Sequence, residues 1–534
     1  MNSSSVAVFI SLFGRSDFNL SAHEKIVFLS ILFFVLGACY VITPRKNIYD
    51  TFPRISDNAF RSFFWPSYVQ KLVERGYQNV TKPSGRPFTV RWWAKDFLIL
   101  SPEYLPALRD ADWVHLSFFK TISDAFFLHT SVGDLYDSDR SVQLVRKGLN
   151  PRLPQLTPVI EDEIENSLRV ELGEYSDGRS VAARSFFTAI VHRSASRILI
   201  GEELCRDEKF IRESIGFVMS IFITALAIVK LPLGPLRDYL AYPISIWHQK
   251  KLTQCTQMLL PILQKRIDER NNRNTDRQSG LDAMEWLLAL SSPSDIDKHR
   301  IAAELMHNLW AGTSAPGGLV TEIMFQLLLE PDYKDPLINE AIEALGDGCQ
   351  WTEKALGRLP LLDSFIRETN RLNPTGSTYL TMKTLVTCSR TVVGHPFVFP
   401  DGLALPVGTR FGFPTQAMQN DADSKFDGFR FAKRGSVTEI NDELSPSVTS
   451  TTVSSSNLAF GYGTHACPGR FFAIRMVKMV VLTILLDYNI EWDGSVSRRP
   501  EPTWIEGQYI PNGSQKVKIT KRAVSLRRKA QADK

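Results

Sequence analysis

The chain has 534 residues, 44% of them apolar and 22% charged, the balance of a folded globular protein rather than a disordered or fibrous one. A net charge of +5, dispersed along the chain, forms no basic stripe, so no nucleic-acid partner is expected. The six cysteines, at 39, 205, 255, 349, 388 and 467, make no CxxC pair, which argues against a disulfide framework or structural zinc and for a reducing compartment around the main domain.

The first element is a leader. Ile26 to Ile42 is an uncharged apolar run followed by Arg45 and Lys46, at the short end of the about 17–25 residues that cross a hydrocarbon core as a helix. It predicts a retained anchor over residues 1–47, spanning at about 26–42, with the C-terminal side in the cytosol. Arg15 and Lys25 weaken that charge asymmetry. Two other readings stay open. A cleaved signal peptide is opposed by a long leading region that holds Asp17 and Glu24. A lipoprotein cleavage box at Leu36-Gly37-Ala38-Cys39 would matter only in a bacterium.

No internal repeat and no linker divides residues 48–534, so one large domain is expected there. Residues 141–172 and 185–200 read as amphipathic helices. The apolar run Phe217–Val229 is short for a span and predicts a core or access helix that touches the membrane, broken by the Lys230-Leu-Pro-Leu-Gly-Pro segment. A long helix is expected from about Asp297 to Leu329, interrupted at Ala311–Gly318. Another, at about Leu361–Leu372, ends before Pro374. Thr391–Phe411 reads as short strands joined by Pro-Asp-Gly and Val-Gly turns. Nine of the twelve residues in Ser445–Ser456 are Ser or Thr, which predicts a mobile loop. A long apolar helix follows from Pro468 to about Tyr488, and the basic tail after Val517 is expected to fray. The fold class is mainly α with a minor β region.

The chemistry sits in Phe460-Gly-Tyr-Gly-Thr-His-Ala-Cys-Pro-Gly-Arg-Phe-Phe-Ala473. Cys467 is expected at a helix N-cap with Pro468 at the first helical position, where a missing N–H costs nothing. The positive helix end favours thiolate over thiol. Gly461 and Gly463 allow a tight turn and let a flat cofactor lie against backbone. His465 is a donor within reach of a cofactor carboxylate.

This segment resembles the haem-binding loop of the cytochromes P450, FxxGxxxCxG, met by Phe460, Gly463, Cys467 and Gly469. His465 stands where the family usually has Arg, a replacement familiar in its fungal branch. Glu368-Thr-Asn-Arg371 matches the family's ExxR, and Phe426-Asp-Gly-Phe-Arg430-Phe resembles the segment that adds a third charge. The resemblance implies a cytochrome P450 fold with an N-terminal transmembrane helix. It also implies heme b with iron on Cys467, and a structural network of Glu368, Arg371 and Arg430. Arg146, with Val142 at the usual Trp position of WxxxR, is the implied contact for a haem propionate.

The sequence departs from the family on the long central helix. There the usual acid–alcohol pair of AGx(D/E)T is replaced by Ser314 and Ala315, after Ala311, Gly312 and Thr313. Pro316 leaves the carbonyl of Gly312 without its helical partner and is expected to kink the helix. Gly312, Thr313 and Ser314 are therefore the candidate catalytic residues, with Ser314 and ordered water in place of the threonine. The activity implied is insertion of one atom of dioxygen into a lipophilic small molecule. The FFAIR and FDGFRF wording resembles fungal secondary-metabolism members such as the ent-kaurene oxidase-like group and points to a terpenoid or steroid-like substrate. Electrons would come from NADPH through NADPH–cytochrome P450 reductase, with cytochrome b5 as an optional second donor, at the endoplasmic reticulum membrane. Arg470, Arg475 and Lys478 are the expected basic docking face. Desaturation or rearrangement is the alternative chemistry, and a haem sensor or carrier without turnover is the alternative class.

Overall fold

The computed structural model describes residues 47–56, 68–113, 115–173, 178–231, 236–272, 280–292, 296–346, 350–373, 387–420, 425–433 and 449–527. The expected span at 26–42, residues 445–448 of the Ser/Thr stretch and the last seven residues lie outside them. The chain divides at Asn47/Ile48, and the unit Ile48–Lys534 holds all the elements of the described fold.

In chain order the principal elements are α1 (Tyr68–Gly76), β1 (Phe88–Trp92), β2 (Lys95–Ile99), β3 (Leu116–Ser117), α2 (Phe118–Phe126), α3 (Leu153–Leu172), β4 (Arg179–Ala182), α4 (Ala183–Leu199) and α5 (Glu208–Lys230). They continue with α6 (Ile246–Asn271), α7 (Lys298–Leu329), α8 (Lys334–Leu345), α9 (Pro360–Leu372), β5 (Thr387–Val392), β6 (Arg410–Phe413), α10 (Arg470–Asp487), β7 (Tyr488–Trp492) and β8 (Lys516–Lys521). Helices dominate, as expected. One five-stranded sheet runs β1-β2-β6-β5-β3, and a three-stranded sheet runs β4-β8-β7.

Two helices are apolar on nearly every face and so form the centre of the domain. On α7 these are Ile301, Leu305, Leu309, Trp310, Val320, Ile323 and Phe325, all buried. On α10 the run Met479–Leu486 is likewise buried. Each such Leu, Ile or Phe contributes about 1.5–3 kcal/mol when removed from water. Gly317 lets α7 approach α4 closely, because a Cβ there would strike Thr188. Asp297 starts α7 as a side-chain cap, accepting from the backbone N–H groups of His299 and Arg300.

Several expectations are corrected. α7 runs unbroken through Pro316, with no interruption at 311–318. The tail after Val517 does not fray as far as it is described. Lys516–Lys521 pairs with both β4 and β7, and Arg527 is buried against Glu161 at 2.6 Å. The described part of the Ser/Thr stretch, 449–456, is a set of turns tied to the core. Ser450 is buried, and both its backbone N–H and its hydroxyl donate to Asp363 on α9. Hydroxyls near buried carboxylates order this segment although it has little apolar surface of its own.

α5 is the one described helix long and apolar enough to cross a membrane, and half of its apolar window is buried inside the domain. Beyond it, Leu236, Tyr239, Tyr242, Ile246 and Trp247 stand exposed, Tyr239 by 77%. So many large apolar groups facing out together mark an interaction surface.

Candidate active site

The Cys467 loop is built by backbone geometry. Gly461 and Gly463 take φ of +79° and +63°, a region that side chains rarely adopt. A Cβ on Gly463 would collide with the backbone of Arg109. That close approach lets Thr464 donate from its N–H to the Arg109 carbonyl at 2.9 Å and from its hydroxyl to Ala111 O at 2.6 Å. The N–H of Cys467 closes the loop on Phe460 O at 2.7 Å. Asn150 Nδ2 holds Pro468 O at 3.0 Å. Cys467 lies two residues earlier than expected relative to α10, whose N-cap is Gly469. Pro468 and Gly469 form a turn first, and Arg470 takes the Cys467 carbonyl at 2.8 Å.

His465 is buried, with Nε2 3.0 Å from Ala111 O and its ring 4.2 Å from Trp113. Burial, and then the charge of Arg390, push its pKa down to about 3. Its Nδ1 has no hydrogen-bond partner among the described residues. Arg390, on β5, is 3% exposed and lies over the Phe118 ring at 5.6 Å. Arg146, the expected propionate contact, instead donates to Thr464 O at 3.1 Å from an exposed position outside the cavity wall.

Opposite the loop stands α7. Its cavity-facing positions are Asn308, Ala311, Gly312, Ala315, Pro316 and Leu319, the spacing of one helix face. Of the three candidate catalytic residues only Gly312 is among them. At about 100° per residue, 313 and 314 turn away from that face. Thr313 is buried, and its hydroxyl donates to the Leu309 carbonyl one turn back. Ser314 does not line the cavity.

The cavity between loop and helix holds about 1640 Å³, counted to its open mouth. Cys467, Phe460, Phe118 and Phe119 contribute to walls that are mostly apolar. Besides Ser389 and Arg390, polar lining residues away from the loop include two pairs, in which Tyr136 meets His307 Nδ1 at 2.7 Å and Asn308 Nδ2 meets Ser141 Oγ at 3.3 Å. Sequence reasoning missed Trp113, Tyr136, His307 and Arg390, which come from separate elements and share no motif.

Glu368, Arg371 and Arg430 meet in one three-charge network. Arg371 binds Glu368 through two bonds of 2.8 Å, and Arg430 Nε reaches the same carboxylate at 3.1 Å. Arg371 also donates to Gln419 O, and Arg430 to Lys425 O, so the pair ties α9 to the 419–430 segment. The expected basic docking face does not form. Lys478 is buried on Asp363 at 2.8 Å, Arg475 is paired with Glu353 and Thr157, and Arg470 is half-buried on Thr451 O and Phe471.

These residues fit a flat, carboxylate-bearing cofactor with a metal at its centre. One sulfur lies in the wall of a slot faced by small residues. His465, whose buried Nδ1 has no partner among the described residues, and the buried cation Arg390 both border that slot and suit the carboxylates. Among the described residues no group of three or more His, Cys, Asp or Glu is placed to chelate an ion.

Comparison with known proteins agrees. The family model "Cytochrome P450" matches residues 137–519. The chain is 34% identical to cytochrome P450 monooxygenase sirB of Leptosphaeria maculans, over 86% of this chain and 87% of that one. It is 28% identical to cytochrome P450 monooxygenase paxP of Penicillium paxilli, over 95% and 99%. It is 27% identical to ent-kaurene oxidase of Gibberella intermedia, over 87% and 88%. Retinoic acid bound cyanobacterial CYP120A1 shares the fold with a TM-score of 0.62 at 16% identity, over 88% of this chain and 99% of that one. A sulfur loop, a buried ExxR network, the matching fold and these relatives lead to one conclusion: the chain belongs to the cytochrome P450 family and is a monooxygenase.

Proposed function

We propose that this enzyme inserts one atom of dioxygen into a terpenoid or steroid-like intermediate of secondary metabolism. The observation that carries this is the Cys467 sulfur in the wall of a large, mainly apolar cavity, across from Ala311, Gly312 and Ala315. The substrate class is supported by the likeness to an ent-kaurene oxidase and by walls that suit a rigid hydrocarbon skeleton.

Cys467 would hold the haem iron, and His465 with Arg390 would receive its propionates. When bound, haem with a thiolate ligand supplies oxygen activation, because the sulfur pushes electron density toward O–O cleavage. The protein's own work is to keep the thiolate in place, exclude bulk water and press a C–H bond against the small-residue face of α7. Electrons come from NADPH through NADPH–cytochrome P450 reductase, with cytochrome b5 as an optional second donor. The enzyme is held at the endoplasmic reticulum by a single N-terminal span at about 26–42, with its catalytic domain in the cytosol. The exposed Tyr239–Trp247 surface rests on the same membrane.

Metabolite mass spectrometry of a host expressing the chain with a reductase tests this reading. A product 16 mass units above a terpenoid or steroid-like precursor is expected (about the mass of one oxygen atom), and Cys467→Ala should abolish it. A reduced protein without the far-shifted carbon monoxide band of sulfur-ligated haem would refute it.

One observation favours a second chemistry, desaturation or rearrangement. From Ala311 to Leu319 the cavity face of α7 carries neither hydroxyl nor carboxylate. A product two hydrogens lighter, or isomeric with its precursor, would identify that outcome.

A further inference from the structure

We propose that His307, oriented by Tyr136, is a specificity-determining hydrogen-bond donor that takes a carbonyl, ether or hydroxyl oxygen of the substrate. The proposal rests on the monooxygenase reading of this cavity and adds to it which chemical group the substrate carries, and where.

His307 is 4% exposed and is one of the residues that line the cavity. Its Nδ1 lies 2.7 Å from the Tyr136 hydroxyl, while its Nε2 is buried with no partner among the described residues. The Tyr136 hydroxyl has no second hydrogen bond among the described residues and must donate somewhere. Donation to Nδ1 leaves the proton of the neutral imidazole on Nε2. Burial keeps that imidazole neutral, with a pKa pushed down to about 3. A buried N–H with nothing to bond costs free energy that a phenyl ring of similar shape would not. Phe217 and Trp310, which pack edge-on to His307 at 5.5 and 5.8 Å, would accept such a ring.

His248 lies nearby, its ring centroid 6.5 Å from that of His307. It is not among the cavity's lining residues, and its own Nε2 also has no partner among the described residues. The two imidazoles do not satisfy each other. Of the two, His307 alone is among the residues lining the cavity.

The helix supplies a ruler. His307 precedes Ala311 by one turn and Ala315 by two, so the accepted oxygen lies about 6–12 Å along α7 from the carbon held at the small-residue face. That separation is the width of two or three fused rings. An unfunctionalised hydrocarbon would leave Nε2 unpaired and bind less well.

A matched pair of ligands tests this without knowledge of the substrate. 1-(4-Acetylphenyl)imidazole and its 4-isopropenyl counterpart have the same shape, and only the first carries an oxygen acceptor. Their imidazole nitrogen ligates haem iron in the loaded enzyme, and the spectral shift reports the dissociation constant. The acetyl ligand is expected to bind roughly tenfold tighter to the wild type, with the preference falling to about twofold or less in His307→Phe. His307→Gln, which keeps an N–H donor, should retain much of it. Should His307→Phe fail to load haem, Tyr136→Phe decides, since it must reduce the same preference.

Equal binding of the two ligands by the wild type overturns the proposal, as expected if a water or His248 satisfies Nε2. An undiminished preference in His307→Phe overturns it too, as does a normal carbon monoxide band with no imidazole shift from either ligand. Loss of the carbon monoxide band in the wild type is a different failure and refutes the haem-thiolate reading itself.

Discussion

Arg371 grips Glu368 with two nitrogens of its guanidinium, Nε and Nη2, each 2.8 Å from a separate carboxylate oxygen. Glu368 is fully buried and also accepts from Arg430 and from the backbone N–H of Asp427. Removing one partner of such a pair leaves an uncompensated buried charge, at a cost of about 3–5 kcal/mol. Arg371→Leu should therefore sharply lower the yield of haem-loaded protein. Glu368→Gln should lower it as well, because the amide neutralises the carboxylate to which three residues donate. Haem content per protein, read with the carbon monoxide band, checks both.

Gly463→Ala should abolish haem loading, although it adds one methyl group. The Cβ meets the Arg109 backbone, and φ is +63°. Strain of this kind costs about 1–3 kcal/mol before the clash is counted. A variant that loads haem and melts like the wild type would contradict the loop geometry.

Ser314→Ala should leave product formed per NADPH consumed unchanged, because Ser314 is off the cavity wall. Ala315→Leu, on the wall, should lower turnover by about tenfold or more by filling the space over the sulfur. The pair separates a polar role at 314 from a steric one at 315.

His192 gives a pH dependence of known sign. It is buried on α4, 2.7 Å from the Ser214 hydroxyl, and burial, aided by the charge of Arg193, pushes its pKa from 6.5 down to about 3. The unfolded chain thus binds one more proton than the folded chain between those values. Stability contributed by this group is present above 6.5 and is lost as pH falls toward 3. Replacing His192 with Gln should shrink the difference in unfolding free energy between about pH 7 and pH 5 by about 2 kcal/mol. Denaturant titrations at the two pH values measure it.

Asn79 begins an Asn-Val-Thr sequon and is exposed. The proposed cytosolic placement of the catalytic domain predicts no glycan there in a eukaryotic host, so glycosidase treatment should leave the mass unchanged. A shift that disappears in Asn79→Gln would place the domain in the lumen.

The features legible in the chain alone are local. The Cys467 loop and the ExxR pair are short-range patterns whose geometry follows from glycine conformation and helix spacing, although Cys467 sits two residues ahead of the helix N-cap at Gly469. Helix boundaries at 183–199 and 360–372 agree within two residues for the same reason. Arg390 and His465, by contrast, meet across 75 positions of chain, and Tyr136 and His307 across 171. Only the packing of β5 and α7 brings them together. The cations of α10 mislead because sequence shows a charge and not its partner. Asp363 and Glu353, which absorb Lys478 and Arg475, lie more than a hundred residues upstream. Thr313 and Ser314 rest on analogy with a motif position, and the helix rotates them off the working face.

Those internal pairings bear on how electron-transfer recognition is mapped. A charge-reversal scan across Arg470, Arg475 and Lys478 would slow reduction of the enzyme, yet the defect would originate in a loosened scaffold rather than a lost contact with a redox partner. The residues that greet the donor must be sought among side chains whose charge is not already spent on the fold.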